Sequence, residues 1–200
     1  MSKKKIAIQG ELGAYSHIAA ENLYKNSEIK TCTTFEETFK QAYNDPSYKI
    51  VIPIENSLAG RVADIHYLLP KYKLQIHGEH FQAVEHNLLC KPDATISDIK
   101  FVRSHAQAIG QCQNLITKKK FKPIISADTA GSAKDLAEGK DKTIAAIASE
   151  LSAKIYNLKI LEKNIEDEKG NVTRFLIMGK SIQQPEFNNS KKFITSCIFR

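Results

Sequence analysis

The stretch Asn171-Val172-Thr173-Arg174-Phe175 is followed by the apolar run Leu176-Ile177-Met178-Gly179. A short polar group directly before strand-forming residues predicts a loop that turns into a buried strand. Arg174 stands where this run begins, and an arginine at the edge of a core usually has a carboxylate partner, because its planar guanidinium binds two oxygens at once. Thr173 offers a hydroxyl donor at the same place. The partner of Arg174 is either a bound ligand or a residue of the chain in a structural ion pair.

Strand–loop–helix units recur through the rest of the chain. The apolar and capping patterns predict strands at residues 5–9, 49–54, 99–102, 122–127 and 143–148, and helices at 14–24, 35–43, 103–116, 130–138 and 150–156. Units of this kind predict an α/β fold with a largely parallel sheet. Two further strands are expected at 74–78 and 83–90, the second with an alternation of apolar and polar residues that is typical of a half-exposed strand.

Polar side chains collect where the predicted strands end. Glu55, Asn56 and Ser57 follow the strand at 49–54, where we expect the next helix to start, and this is where α/β sheets place ligand-binding groups. At the second such place, Ser104 is the expected helix N-cap, with His105 in a packing or capping role and Gln107 and Gln111 on one helix face. At the third, Asp128 and Thr129 are expected to cap the next helix. The Gly10-x-x-Gly13 turn could hold an anion on free backbone amides, or could serve close packing of a strand against a helix.

Composition narrows the classes of function. The 200 residues carry a net charge of +7, but the lysines are scattered, so we expect no nucleic-acid partner, and the charge suits an anionic small molecule equally well. The four cysteines lie far apart, which argues against a zinc site or a disulfide framework. The apolar segment Ile6–Ile8 is too short for a signal peptide and no segment resembles a membrane span, so a cytoplasmic protein without a membrane partner is expected.

Arginine is rare in this chain. Only four of the 29 basic residues are arginine. A chain that uses lysine for generic positive charge should keep arginine where the guanidinium geometry is needed. Arg61, Arg103 and Arg174 all fall in motif-like stretches, and we therefore expect them to have specific partners.

Taken together, the motifs resemble those of the prephenate dehydratase family, from Ile6 to Gly179. The residues that carry the resemblance are Gly10-x-x-Gly13-x-Tyr15-Ser16-His17, Pro53-Ile54-Glu55-Asn56-Ser57, Ser104-His105-x-Gln107-Ala108 with Gln111-Cys112, Asp128-Thr129-Ala130, and Ile165-Glu166-Asp167 before Asn171-x-Thr173-Arg174-Phe175. Each motif alone is unremarkable, whereas their order and spacing together are specific.

The resemblance implies an α/β fold of two lobes, similar to a type II periplasmic binding protein, with the active site in the cleft between them. One catalytic domain would cover residues 1–180, with lobe 1 at about 1–77 and 162–180 and lobe 2 at about 78–161. Residues 181–192 are polar and are expected to form a linker. Residues 193–200 resemble the first strand of an ACT domain, the module that binds phenylalanine in the family, so the effector site is expected in a part of that domain which this sequence does not contain.

The resemblance also implies a reaction and a site. Prephenate would lose carbon dioxide and water to give phenylpyruvate in phenylalanine biosynthesis, without a metal or cofactor. Thr173 would donate a hydrogen bond to the departing hydroxyl, and Arg174 would pair with a substrate carboxylate, which we assign to the pyruvyl side chain. The other expected substrate-binding residues are Glu55, Asn56, Ser57, Ser104, Gln107, Gln111, Thr129, Asn171 and Phe175.

Two alternatives stay open at this stage. An arogenate or cyclohexadienyl dehydratase would perform the same chemistry on an amino-acid side chain, and no residue in the sequence separates the two substrates. A small-molecule binding module of the same fold would bind without catalysis. The family usually forms dimers or tetramers, but the oligomeric state cannot be predicted from this sequence.

Overall fold

A computed structural model describes residues 3–181 of the chain. The predicted linker, apart from its first residue, and the predicted strand at 193–199 lie outside the described residues. The secondary structure comprises eleven strands and seven helices within this range. In chain order they are β1 (Lys5–Gln9), α1 (Tyr15–Leu23), β2 (Glu28–Cys32), α2 (Phe35–Asn44), β3 (Tyr48–Asn56), β4 (Gly60–Arg61), α3 (Ala63–Tyr72), β5 (Gln75–Ala83), β6 (Asn87–Cys90), β7 (Phe101–His105), α4 (Ala106–Gly110), α5 (Gln113–Lys119), β8 (Lys122–Ser126), α6 (Thr129–Glu138), β9 (Ile144–Ala148), α7 (Glu150–Ile155), β10 (Lys159–Glu162) and β11 (Val172–Gly179).

The strands form two sheets, and each sheet defines a lobe. Lobe 1 contains the order β2-β1-β3-β11-β5, with β4 paired to β3, and lobe 2 contains β10-β6-β9-β7-β8. The chain passes between the lobes twice, at residues 84–86 (the first crossover) and 163–171 (the second crossover). This is the two-lobed type II arrangement expected from the sequence.

Both sheets are mixed, so the prediction of a largely parallel sheet is wrong. β1 pairs in parallel with β2 and β3, and β7 with β8 and β9. The strands next to the crossovers, which are β5 and β11 in lobe 1 and β6 and β10 in lobe 2, run antiparallel to their neighbours. A strand that enters a sheet from the other lobe can run antiparallel to the strands of the strand–loop–helix units. The spacing of apolar residues in the sequence does not indicate the direction of a strand.

The first sheet continues beyond residue 77, where a lobe boundary is expected from the sequence. β5 remains paired with β11 as far as Ala83. β5 is therefore longer than the predicted strand at 74–78, because its pairing with β11 carries it through the polar residues Glu79 and His80. The predicted strand at 83–90 is divided: Ala83 ends β5, residues 84–86 form the first crossover, and Asn87–Cys90 form β6 of the second sheet.

Each sheet is covered on both faces. In lobe 1, α2 and α3 pack on one face and α1 on the other, and in lobe 2, α4 and α5 lie opposite α6 and α7. β3 shows the sequence basis of this arrangement. Its adjacent residues Ile50 and Val51 point to opposite faces of the sheet, and both are fully buried, one in the core beneath α2 and α3 and the other in the core beneath α1. The two layers fix β3 and β11 in the middle of lobe 1, and the ends of these strands carry the candidate site.

Candidate active site

The site is built around the end of β3, where the chain turns sharply. Asn56 Oδ1 accepts hydrogen bonds from the backbone amides of Leu58 and Ala59 at 3.0 and 2.9 Å. Gly60 then adopts a φ of +81°, and β4 pairs back onto β3. Asparagine and glycine suit this turn because the asparagine side chain replaces a backbone acceptor and glycine tolerates positive φ. The predicted helix start at this position is therefore wrong, and a tight hairpin stands in its place.

The β11–β3 ladder brings Thr173 beside Asn56. The two residues are direct partners in the antiparallel register, and Asn56 Nδ2 donates to Thr173 Oγ1 at 2.9 Å. The register shifts between Arg174 and Phe175, a bulge of the kind that often re-aims side chains next to functional sites. Because Thr173 Oγ1 accepts from Asn56, its own proton must point elsewhere, and residues 3–181 offer it no acceptor. Thr173 is therefore a free hydrogen-bond donor in a nearly buried position.

A chain of hydrogen bonds continues from Asn56 into lobe 2. Asn56 Nδ2 donates to Asn171 Oδ1 at 2.6 Å, and Asn171 Nδ2 donates to Gln111 Oε1 at 3.0 Å. The same Gln111 oxygen lies 2.9 Å from His86 Nε2. His86 Nδ1 lies 3.1 Å from the hydroxyl of Tyr15, which also lies 2.7 Å from the Glu85 carbonyl. The bonds join both lobes and both crossovers, and we call the set Thr173, Asn56, Asn171, Gln111, His86 and Tyr15 the amide chain.

The second crossover holds Gln111 in place. The backbone amide of Asp167 donates to the Gln111 carbonyl at 2.7 Å. The Asp167 carboxylate accepts from the backbone amides of Gln113 and Asn114, at the start of α5, at 2.8 and 3.0 Å. Glu166 accepts from the His86 amide at 2.9 Å. The Ile165-Glu166-Asp167 motif thus anchors two members of the amide chain, Gln111 of lobe 2 and His86 of the first crossover.

Burial sets the protonation of this region. Burial lowers the pKa of His86, although the Gln111 contact and the Glu166 carboxylate act in the opposite direction. Burial, together with Glu166, Cys112 and Glu85, raises the pKa of Tyr15 well above its ordinary value. Burial also raises the pKa of the Cys112 thiol to about 12, with Asp167 and Glu166 adding to the effect. At neutral pH the described groups are therefore a neutral imidazole, a phenol and a thiol.

Arg174 does not join the amide chain. Its Nε and Nη2 both lie 2.7 Å from Glu79 Oε2 on the neighbouring strand β5, and its guanidinium lies over the Phe81 ring at 6.0 Å from the centroid. Adjacent residues of a strand point to opposite faces, which separates Arg174 from Thr173. The structural ion pair allowed by the sequence is therefore present. Arg103 also has a partner, Asp135 at 3.2 Å, whereas Arg61 is exposed.

Two residues leave the candidate substrate-binding set because of their burial. Phe175 is 2% exposed and packs in the lobe 1 core against α1. Ser104 is fully buried within β7, and its hydroxyl donates to the Ile147 carbonyl at 2.7 Å. The prediction of Ser104 as an N-cap is also wrong, because His105 caps α4 through a hydrogen bond from the Gln107 amide to Nδ1 at 3.3 Å. β7 ends at His105, three residues beyond the predicted strand end at Val102, and this moves the helix start to Ala106.

The other predicted residues lie at or next to the ends of strands and helices. Ser57 exchanges two hydrogen bonds with the backbone of Val172, at 2.9 and 3.0 Å. Glu55 and Gln107 are exposed, and Thr129 is half-buried at the start of α6, which Asp128 caps as predicted. A groove of about 280 Å³ is lined by Tyr15 but by no other member of the amide chain.

Sequence reasoning gave no role to His86, Tyr15, Glu166, Asp167 or Glu79. Tyr15, Glu166 and Asp167 stand inside motifs that carry the resemblance, so a signal of position was present without a signal of role. His86 falls at a polar position of the predicted half-exposed strand at 83–90, where polar residues face solvent. In the structure it is 2% exposed, because the second crossover covers it.

Gly13 lies where lobe 1 contacts lobe 2. Its carbonyl accepts hydrogen bonds from Ser149 Oγ and Ser152 Oγ of lobe 2 at 2.6 and 3.1 Å. The φ of Gly13 is +91°, and a Cβ at this position would collide with the side chain of Ser152. The glycine is therefore required by contact between the lobes.

Other kinds of site receive no support within residues 3–181. No group of three His, Cys, Asp or Glu side chains there is arranged to hold a metal ion. In the same range, no helix is both long and apolar enough to cross a membrane. Cys32, Cys90 and Cys112 are buried free thiols.

Comparison with known proteins identifies the family. A family model described as prephenate dehydratase matches residues 6–183. This chain belongs to the prephenate dehydratase family. Two curated members are similar over nearly the whole chain, and a third match is a solved structure.

The relatives carry more than one activity in their names. The chain is 41% identical over 198 residues to "Arogenate dehydratase/prephenate dehydratase 2, chloroplastic" of Arabidopsis thaliana, which covers 99% of the chain and 51% of that protein. It is 38% identical over 198 residues to "Bifunctional N-acyl-homoserine lactone acylase/prephenate dehydratase" of Komagataeibacter europaeus, which covers 98% of the chain and 69% of that protein. The chain thus spans about half the length of the plant relative.

A solved member of the prephenate dehydratase family shares the fold. The prephenate dehydratase of Arthrobacter aurescens, solved in complex with L-Phe, superposes with a TM-score of 0.84 at 25% identity, over 92% of this chain and 63% of that one. The agreement extends over both lobes, because no single lobe contains so large a share of the chain.

Proposed function

We propose that this chain is a dehydratase that converts prephenate to phenylpyruvate, carbon dioxide and water in phenylalanine biosynthesis. The observation that carries the proposal is the state of Thr173 in a family member. Its hydroxyl accepts from Asn56 and keeps a free proton at the contact between the lobes. A donor of this kind suits a leaving hydroxyl.

The reaction needs little covalent help from the protein. The bond between the ring and its carboxylate breaks, its electron pair completes the aromatic ring, and the ring C–O bond breaks as one proton is taken up to form water. Hydrogen bonding to the departing oxygen typically contributes about 10²–10⁴ in rate. The Thr173 hydroxyl is too weak an acid to be ionised, so it acts as a fixed donor that stabilises the charge developing on that oxygen, and solvent or a neighbouring group supplies the proton.

The remaining donors are neutral, which fits a decarboxylation. Asn56 has committed both sides of its amide, so its role is to orient Thr173. Gln111 Nε2 has no partner among residues 3–181. Asn171 is a second neutral donor within the amide chain, and Ser57, Gln107 and Thr129 are further neutral donors among the predicted residues. A cation on the departing carboxylate would stabilise the ground state and oppose loss of charge. We therefore propose that these neutral groups contact that end of the substrate.

Arg174 remains the candidate for the pyruvyl carboxylate. Glu79 engages Nε and Nη2, and Nη1 has no partner among residues 3–181. Substrate binding at Arg174 requires the pyruvyl side chain to reach the Glu79 face of β11. Glu55, which is exposed beside the β4 hairpin, is retained as a candidate on position alone.

Arogenate is the second candidate substrate. The plant relative carries both activities in its name, and arogenate differs from prephenate by an ammonium group where prephenate has a ketone. Comparison of kcat/KM for the two substrates decides between them. A preference for arogenate would replace prephenate in the proposal and leave the role of Thr173 unchanged.

The test is direct. Purified chain is mixed with prephenate, and phenylpyruvate is followed by its absorbance in alkali, with and without phenylalanine as the expected effector. Formation of phenylpyruvate is expected, and turnover of neither prephenate nor arogenate by folded chain would refute the proposal. An N-acyl-homoserine lactone, the substrate in the other part of the Komagataeibacter relative's name, serves as a third substrate in the panel. Size-exclusion chromatography of the same sample tests for a homo-oligomer.

A further inference from the structure

The amide chain has one consistent direction of hydrogen bonding. It starts at Asn56, whose Oδ1 accepts from two backbone amides and so cannot exchange places with Nδ2. Since Asn56 Nδ2 is then a donor, the Asn171 atom 2.6 Å away must be the oxygen. Asn171 Nδ2 is the next donor, and the Gln111 atom that it contacts must also be the oxygen. Backbone geometry therefore fixes the orientation of three amide side chains in sequence.

The direction determines which nitrogen of His86 carries a proton. Gln111 Oε1 can only accept, so His86 Nε2, at 2.9 Å, must donate. A neutral imidazole with a proton on Nε2 leaves Nδ1 as an acceptor. The Tyr15 hydroxyl lies 3.1 Å from that nitrogen and 2.7 Å from the Glu85 carbonyl, and in this tautomer its one proton turns from the carbonyl to Nδ1. Tyr15 thus completes the chain in lobe 1, the lobe in which it begins.

The direction of the hydrogen bonds stays the same when His86 is protonated on both nitrogens, because the Tyr15 hydroxyl can either donate or accept. If His86 is protonated, Nδ1 becomes a donor, and the Tyr15 hydroxyl turns its proton to the Glu85 carbonyl at 2.7 Å. The titratable groups that face His86 are Tyr15 and the Glu166 carboxylate at its backbone amide, while the Cys112 thiol lies near Tyr15. In both states Nε2 remains a donor to Gln111.

We propose that His86 is a positioning residue that donates through Nε2 to Gln111 and keeps the free Nε2 of Gln111 directed at the reacting atoms. This inference rests on the proposed dehydratase function. His86 does not touch the substrate in this assignment. It acts through the placement of Gln111 and its free Nε2, whereas the backbone amides of Leu58 and Ala59 hold Asn56 and, through it, Thr173.

Loss of the Nε2 donor has a specific consequence. Without it, Gln111 can rotate its amide, because Oε1 keeps only the bond from Asn171. Rotation would point Nε2 of Gln111 at Asn171 Nδ2, two donors at 3.0 Å, and both side chains would have to move. Displacement of a reacting group by about 1 Å can cost 10²-fold in rate. The effect should fall on kcat, because Gln111 Nε2 is proposed to contact the end of the substrate whose charge changes in the transition state.

The first test measures the proton on His86 in the full chain, without any assay of turnover. Two-bond ¹H–¹⁵N correlation spectra of ¹⁵N-histidine-labelled chain separate the two neutral tautomers, and the signal that disappears in His86→Gln identifies the residue. We expect the form with the proton on Nε2 at neutral pH. The form with the proton on Nδ1 would overturn the proposal.

The second test compares two substitutions of the same residue. His86→Gln keeps an N–H donor at the Nε2 position, whereas His86→Leu removes it. We expect His86→Leu to lower kcat by about 10–100-fold with KM changed less than about threefold, and His86→Gln to keep kcat within about fivefold. His80→Gln on β5, outside the amide chain, is the matched control and should behave as the unmodified chain.

The outcomes remain separable. Equal losses in His86→Gln and His86→Leu, or a change confined to KM, would overturn the positioning role. An unmodified chain that turns over neither prephenate nor arogenate would instead refute the proposed function, and the tautomer measurement would still decide the order of the hydrogen bonds. If His86→Leu fails to fold, the tautomer and the kcat of His86→Gln decide the proposal.

Discussion

At the scale of single residues, the site depends on which hydrogen-bond capacity each side chain has left after folding. Asn56 has none, Thr173 has one proton, and Gln111 has the two protons of Nε2 among the described residues. A residue with no spare capacity can only orient its neighbours, and one with a free proton can act on a substrate. This distinction separates Thr173, the proposed donor to the substrate, from Asn56, which orients it.

Thr173→Ala removes the only part of Thr173 that the mechanism uses. We expect kcat to fall by about 10²–10⁴ with KM within a few-fold, because the hydroxyl stabilises the transition state more than the bound substrate. Steady-state kinetics on prephenate measure both constants. Thr173→Ser, which keeps the hydroxyl, should retain kcat within about tenfold. An unchanged kcat in Thr173→Ala would remove Thr173 from the chemistry.

Arg174→Lys keeps the positive charge and loses the planar fork. If Arg174 binds the substrate while Glu79 holds Nε and Nη2, the substitution should raise KM by about tenfold or more and change kcat little. Glu79→Gln tests the support separately, since it keeps the size of that side chain and removes its charge. Unchanged KM in Arg174→Lys would leave Arg174 as a structural partner of Glu79 alone.

At the scale of elements, two helix N-termini with side-chain caps offer a matched comparison. Asp167 caps α5 from the second crossover and positions Gln111, whereas Thr34 caps α2 through the Glu37 amide at 3.1 Å, far along the chain from the site residues. The same loss of a cap should cost similar stability in both helices. Only one of the two caps is connected to the amide chain.

Asp167→Ala and Thr34→Ala should each lower the free energy of unfolding by about 0.5–2 kcal/mol, because an amide at the helix start loses its acceptor. Urea denaturation measures this loss. Asp167→Ala should also lower kcat by about tenfold through Gln111, and Thr34→Ala should leave kcat unchanged. Equal kinetics in the two variants would show that the second crossover contributes only stability.

At the scale of the whole molecule, the lobes are held together by small residues as well as by the crossovers. Gly13 brings the β1–α1 turn against α7, and Lys134 of α6 forms an ion pair with Glu11 at 3.1 Å across the same contact. Contact between the lobes therefore depends on a backbone that no side chain blocks.

Gly13→Ala should separate the lobes at this contact. The added methyl group would collide with Ser152 and would also occupy a positive φ, so we expect lower stability and lower kcat/KM together. Thermal unfolding and steady-state kinetics measure the two effects. Gly170→Ala is the control, because Gly170 has a φ of +84° but open space around it, so it tests the backbone cost alone. Equal losses in both variants would assign the effect of Gly13→Ala to φ.

Stability should fall as the pH is lowered from about 7.5 to about 5.5. Burial lowers the pKa of His17 and His86 below the ordinary value of 6.5, although Glu21 opposes the effect at His17 and Glu166 at His86. The unfolded chain therefore binds more protons in this window, and their stabilising contribution is present above pH 6.5 and lost as the pH falls toward the folded pKa values. Carboxylates with lowered pKa values, such as Glu36 at about 2, titrate below the window.

The pH dependence is measured by urea denaturation at several pH values. His86→Gln should reduce the slope of unfolding free energy against pH, because one of the two titrating groups is removed. A slope that is flat in the unmodified chain, or unchanged in His86→Gln, would contradict the assignment of a lowered pKa to His86.

The sequence by itself determined the elements and the family of this chain. Apolar periodicity and capping residues located most helices and strands, among them α2 and the Asp128 cap of α6, because these signals are local. The motif order placed Thr173, Asn56, Asn171 and Gln111 in one candidate site, and the structure joins these four by hydrogen bonds. Their roles toward a substrate remain proposals.

Only the tertiary structure decided the direction of the strands, the partner of Arg174 and the burial of Phe175, Ser104 and His86. Each of these depends on contacts between residues distant in the sequence. β11 meets β5 about 95 positions away, where Glu79 stands beside Arg174, and the second crossover covers a histidine that strand alternation leaves in solvent. Periodicity reports which face of an element is apolar, but it does not report what is packed against that face.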